Sequence, residues 1–174
     1  MKRLFLALEL PQYFKEKLIA DRSLFLINGP VRWVSIENLH VTLFFIGDFN
    51  ELMLDKLKEE LNLVLNNQQV FELELDKLVL MPKKRPYMIW AQFKPNQEFN
   101  EMYKKVALYF SQKPNHEIII HTTLARFKGY TDIVLSQPLP TEISVQIKQV
   151  VLYESKLKPS GVEYFLLKKY KLSN

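Results

Sequence analysis

The chain has 174 residues, 48% of them hydrophobic and 25% charged, with a formal net charge of +5 at pH 7. That composition is long enough and apolar enough for one sizeable core, and it excludes a low-complexity or disordered chain. No cysteine occurs, so disulfides and thiolate metal sites are ruled out, a usage that fits a reducing cytoplasm, and the mild positive charge leans towards an anionic partner.

Residues 3–10 predict a strand. The apolar start is too short for a signal peptide and is interrupted by Glu9 and Pro11, and no run approaches the ~18 apolar residues of a membrane span. Pro11 suits the first turn of a helix, which Phe14, Leu18, Ile19 and Phe25 carry to about Leu26. Asn28-Gly29-Pro30 stops it. A short strand over 31–34 and a connector over 35–39 lead to a strand over 40–46, closed by Gly47 and Asp48. Asn50 caps a second helix with Met53, Leu57, Leu61, Val64 and Leu65 on one face. Phe71, Leu73 and Leu75 then alternate with Glu72, Glu74 and Asp76 in a half-buried strand, which residues 78–81 continue or re-aim.

A basic loop follows at Pro82-Lys83-Lys84-Arg85-Pro86, then a strand over 87–93. Pro95-Asn96 opens a third helix with Phe99, Met102, Val106 and Phe110 on one face. Residues 117–128 contain another strand, and a connector with Pro138 and Pro140 comes after Gly129-Tyr130. The last two strands are expected over 143–155 and 162–172, joined by a turn at Lys158-Pro159-Ser160-Gly161. The order is an approximate duplication, with a helix set among strands in each half. We expect an α+β fold and residues 1–174 as a single domain of two pseudo-symmetric lobes.

One motif occurs in both halves. His40-Val41-Thr42-Leu43 and His121-Thr122-Thr123-Leu124 each lie in a β-branched, apolar run. On a strand, residues two apart share a face, so each copy presents an imidazole beside a hydroxyl. Two of the chain's three histidines are placed this way, with only five threonines available. Imidazole titrates near neutrality, so one histidine of a pair can act as base while the other acts as acid. Threonine hydroxyls can donate to phosphate oxygens and hold the group in line. Spacing alone leaves open which histidine plays which part.

These motifs resemble the two-histidine phosphoesterase superfamily, and closely the RNA 2′,3′-cyclic phosphodiesterases long labelled 2′-5′ RNA ligases. The resemblance includes the opening Arg3-Leu4-Phe5-Leu6-Ala7-Leu8-Glu9-Leu10-Pro11 and Val31-Arg32-Trp33-Val34. It continues through Glu37-Asn38-Leu39 before the first motif, Phe45-Ile46-Gly47 after it, and Ala125-Arg126 after the second. It implies a bilobal fold of two antiparallel sheets facing across a central cleft, with helices packed on their outer faces and one motif per sheet. It further implies His40 as proton donor, His121 as proton acceptor and Thr42 and Thr123 as phosphate ligands, in a reaction that opens a 2′,3′-cyclic phosphate to a 2′-phosphomonoester without metal or cofactor. The expected partner is RNA or an oligonucleotide with such an end, and the expected protein a cytoplasmic monomer with no membrane association. Rival readings are a phosphodiesterase of small cyclic nucleotides or 2′-5′ oligoadenylates, and a non-catalytic RNA-binding module.

Arg126 is a natural phosphate partner, but it follows His121 by five residues, and strict alternation points it to the opposite face; only a bulge or a strand end would return it. His116 has no threonine partner and reads as a surface residue in a turn. The glycines at 29, 47, 129 and 161 form no phosphate-binding or dinucleotide motif. Lys83, Lys84 and Arg85, with Tyr87, could meet an RNA backbone, although a charged loop is more often simply solvated. Trp33 and Trp90 read as core aromatics, Trp33 with some claim on the cleft. Tyr153, Ser155 and Tyr164 are weaker cleft candidates.

Overall fold

Leu4, Leu6 and Leu8 recur at every second position and are almost completely buried along β1 (Lys2–Glu9). Phe5 and Ala7 on its other face are buried too, as expected of a strand enclosed by neighbours. A computed structural model of the chain describes residues 1–114, 118–127, 131–135, 143–159 and 161–173. In it β1 pairs antiparallel with β4 (His40–Phe49) on one side and β10 (Gln149–Lys158) on the other, and β11 (Gly161–Lys171) completes a four-stranded sheet. A second, five-stranded sheet runs in the order β3 (Val31–Trp33), β7 (His121–Phe127), β6 (Met88–Phe93), β5 (Phe71–Met81) and β9 (Ile143–Ile147).

The three helices cover the faces of these sheets turned away from the motifs. In α1 (Gln12–Ala20), Phe14 and Leu18 are buried, and Phe14 stacks on Phe93 of the five-stranded sheet with ring centroids 6.0 Å apart. α2 (Leu54–Val64) and α3 (Gln97–Tyr109) lie on the four-stranded sheet. There Tyr170 donates to the Lys58 carbonyl at 3.3 Å, and Phe44 stacks on Phe110 at 5.4 Å. Asn96 caps α3 by accepting from the Phe99 N–H at 2.8 Å, while its amide donates to the Glu72 carbonyl at 3.0 Å. The cap therefore also fixes the helix to β5. Asn50 does cap, but it caps a short 3₁₀ turn, Glu51–Met53, that leads into α2. The expected α+β fold of two facing antiparallel sheets is the one observed.

Three stretches differ from expectation. The first helix stops at Ala20, where the chain tightens into a 3₁₀ turn, Asp21–Leu24. Residues Phe25–Asn28 then form β2, which pairs with β8 (Asp132–Leu135) in a small separate sheet. Phe25 sits at a helical spacing yet is buried as a strand residue, because a partner distant in sequence supplies the ladder. The long strand expected over 143–155 is two strands in different sheets, broken at Lys148. Val145 and Ile147 are buried at odd positions, Val150 and Leu152 at even ones, so the alternation changes phase where the chain crosses over. β8 was expected to be connector. The turn position Ser160, the connector prolines and His116 lie outside the described residues.

Candidate active site

β4 begins with the first motif. Val41 and Leu43 point into the core with no more than 2% of their surface exposed, which leaves His40 and Thr42 on the opposite face. The His40 Nδ1 lies 2.7 Å from the Asn38 carbonyl. A carbonyl only accepts, so Nδ1 carries the hydrogen and Nε2 is left with a lone pair when the ring is neutral. That Nε2 lies 3.2 Å from the Thr42 hydroxyl.

β7 repeats the arrangement. The His121 Nδ1 donates to the Ile119 carbonyl at 2.8 Å, again two residues upstream, and again Nε2 is left for chemistry. Thr122 and Leu124 are fully buried. The Thr122 hydroxyl donates to the His40 carbonyl at 2.9 Å, tying the two motif strands together at the level of the histidines. Alternation puts Thr122 on the face behind the motif, and its hydrogen bond depends on a partner 82 residues away.

Arg126 reaches the same face through a bulge. On β6, Trp90 pairs with Thr123 and Ile89 with Ala125, so Leu124 has no partner and the alternation slips by one residue. Arg126 consequently pairs with Met88, on the face that carries Trp90 and Thr123. β4 contains the same device: Ala7 pairs with Thr42 and Leu6 with Phe44, so Leu43 is passed over. The slip brings Phe45 to the cleft as it brings Arg126. The two motif strands thus match in histidine, threonine and bulge, and differ at the fifth residue after the histidine, Phe45 on one and Arg126 on the other.

The two faces enclose a cleft of about 580 Å³ that brings together His40, Thr42, His121, Thr123 and Arg126. Its lining also includes Arg3, Ser155 and Tyr164, and among the described residues contains no carboxylate. His40 is surrounded by aromatic rings, with Phe5 at 5.1 Å, Tyr164 edge-on at 5.2 Å and Tyr153 at 6.3 Å. Burial is the main reason its pKa is pushed down to about 4, with the charges of Lys15 and His121 adding to the effect and the Asn38 carbonyl opposing it. The His121 pKa is lowered as well, by burial first and then by the Arg126 charge, against the pull of the Ile119 carbonyl. Burial raises the Tyr153 and Tyr164 phenols.

Trp90 is not the core aromatic expected. Its indole stacks on the His121 imidazole, with centroids 3.6 Å apart and planes at 16°, and it lines the cleft. Trp33 packs instead against Phe25 and under the Arg22 guanidinium. Arg3, Phe5 and Phe45 were missed as site residues, because each needs the strand pairing to place it. Lys83 borders a separate recess on β5. Among the described residues no three His, Asp or Glu side chains are grouped to hold a metal ion, and no helix is long and apolar enough to cross a membrane.

Residues 8–90 match the family model of LigT like phosphoesterases. An RNA 2′,3′-cyclic phosphodiesterase of Methanocaldococcus jannaschii is 28% identical, over 97% of this chain and 99% of the relative. One from Methanothermobacter thermautotrophicus is 25% identical over 98% of each chain. Among solved structures, a Thermus thermophilus protein superposes with a TM-score of 0.78 at 22% identity, covering 98% of this chain and 97% of that one. E. coli LigT complexed with 3′-AMP superposes with a TM-score of 0.75 at 26% identity, covering 99% of both.

Proposed function

We propose, for a chain whose residues 8–90 match the LigT-like phosphoesterase model and whose fold resembles that of E. coli LigT, that it hydrolyses RNA 2′,3′-cyclic phosphate ends to 2′-phosphomonoesters without a metal ion. The observation that carries this reading is the pair of histidines in one cleft, each held by its Nδ1 so that Nε2 is available. The two relatives named above, both RNA 2′,3′-cyclic phosphodiesterases, support the substrate. The E. coli neighbour, complexed with 3′-AMP, is a second support, because that ligand is a nucleotide with a phosphate on its ribose.

In this mechanism a water molecule attacks phosphorus in line with the 3′ oxygen. The neutral His121 Nε2 takes the water's proton, the P–O3′ bond breaks, and His40 protonates the departing 3′ oxygen. The product keeps its phosphate on the 2′ oxygen. Thr42 and Thr123 donate to the non-bridging oxygens, and Arg126 and Arg3 offset the charge that builds on them. General acid–base action of this kind is worth about 10²–10⁴ in rate for each group. Before substrate binds, His40 is neutral at pH 7, since burial holds it at about 4. It acquires its proton with the substrate, whose phosphate charge at close range opposes the burial effect. Phe45, 69% exposed and 6.1 Å from Phe5, offers a ring face to the terminal base.

Both histidines come from one chain, so a monomer of two lobes over residues 1–174 suffices for the reaction. The absence of cysteine suits a cytoplasmic setting. The test is to incubate the protein with an RNA ending in a 2′,3′-cyclic phosphate in excess chelator and to map the product. A 2′-phosphate end is expected; a 3′-phosphate end, or turnover only after a divalent ion is added, would contradict the reading. An aryl phosphodiester, whose leaving group departs without a proton, separates the roles. On it His40→Ala keeps most of its activity and His121→Ala does not; the opposite order would exchange donor and acceptor.

A further inference from the structure

The cleft face of the five-stranded sheet continues past the histidine. Outward from His121 the in-register partners are Gln92 and then Lys77; from Thr123 they are Trp90 and Val79; from Arg126 they are Met88 and Met81. The β5 members of these rows border a second recess, of about 460 Å³, which Gln92, Ile119 and Lys83 also line. Two strand spacings, about 10 Å, separate it from the β7 row. Among the described residues its lining has two lysines and an amide but no carboxylate, around a floor of Val79, Met81 and Ile119. Ile119 is 45% exposed, a large apolar side chain left beside cations on a surface continuous with the cleft. Lys77 makes an exposed ion pair with Asp76 at 2.9 Å, the kind of contact that is worth little in water and yields readily to a phosphate.

Cations beside an exposed apolar floor are what a single nucleic-acid strand uses, with phosphates on the charges and base faces on the floor. A lone inorganic anion would have no use for the floor. We propose that this recess receives the RNA chain adjoining the cyclic end, with Lys77 and Lys83 each holding a backbone phosphate and Val79, Met81 and Ile119 meeting a base. The proposal rests on the function given above and sharpens it: the site is built for oligonucleotide ends over cyclic mononucleotides.

The experiment compares kcat/KM on two substrates, an oligoribonucleotide ending in a 2′,3′-cyclic phosphate and a nucleoside 2′,3′-cyclic phosphate. The double variant Lys77→Gln, Lys83→Gln is set against Lys104→Gln, Lys105→Gln, which makes the same charge change on exposed positions of α3. The recess variant is expected to lose about ten-fold on the oligonucleotide, with a log–log salt slope shallower by about 1.4 for two lost phosphate contacts. It should stay within about two-fold on the mononucleotide, and the α3 variant within about two-fold on both. Equal losses on both substrates, equal losses in both variants, or no loss on the oligonucleotide would overturn the proposal while leaving the phosphodiesterase reading intact. If the unsubstituted protein turned over neither substrate, the phosphodiesterase reading would fail and the proposal with it.

Discussion

His40 shows how one side chain links folding to chemistry. Its ring is enclosed by Phe5, Tyr153 and Tyr164, and burial holds its pKa at about 4 against an ordinary value of 6.5. Below pH 6.5 the unfolded chain takes a proton that the folded ring refuses, so the stabilisation is complete above 6.5 and is lost as pH falls towards 4. The loss should reach up to about 3 kcal/mol, less where water reaches the ring. Urea midpoints measured from about pH 7 to 4 should fall more steeply for the unsubstituted protein than for His40→Asn; parallel curves would contradict this. The sequence was most informative about the paired His-x-Thr positions, because period-two alternation is local. Arg126 and Trp90 were harder to read, since Arg126 is turned by an unpaired residue of its own strand and Trp90 by which face of its sheet meets the cleft.

Bulges are the elements that convert the motifs into a site. Without the slip at Leu124, Arg126 would face the packed side of β7; without the slip at Leu43, Phe45 would be directed into the core. Nothing within either motif announces the extra residue, although its repetition in both copies accords with the approximate duplication of the chain. The sheet switch at Lys148 did leave a trace, in the changed phase between Ile147 and Val150. β2 left none, because its ladder partner is β8, more than a hundred residues away. Gly161 has φ +131°, and a Cβ there would overlap an Arg32 guanidinium nitrogen on the other sheet. Arg32 also stands opposite Arg126 across the β3–β7 ladder. Gly161→Ala should therefore cost about 1–2 kcal/mol in backbone strain and push Arg32 aside, lowering the urea midpoint. An unchanged midpoint would show that the hairpin tip relaxes freely.

For the whole molecule, the chain starts and ends in one sheet and builds the other between, so each sheet carries one motif and Thr122 joins them at the His40 carbonyl. The α+β class and the helix faces were legible through hydrophobic periodicity, and the two facing sheets through the family resemblance that the repeated motif carries. The division of strands between the sheets was not, because pairing is a long-range property. The central claim is that two histidines, one from each sheet, work as a single acid–base unit. It is tested most directly by the rate of cyclic-phosphate opening on an RNA end in excess chelator, for the unsubstituted protein, His40→Ala, His121→Ala and the double variant. Each single substitution should lower kcat by about 10³-fold, and the double variant should be no slower than the worse of the two, since half a relay is no relay. A single variant that keeps more than about a tenth of the activity, or losses that simply multiply in the double variant, would contradict the account.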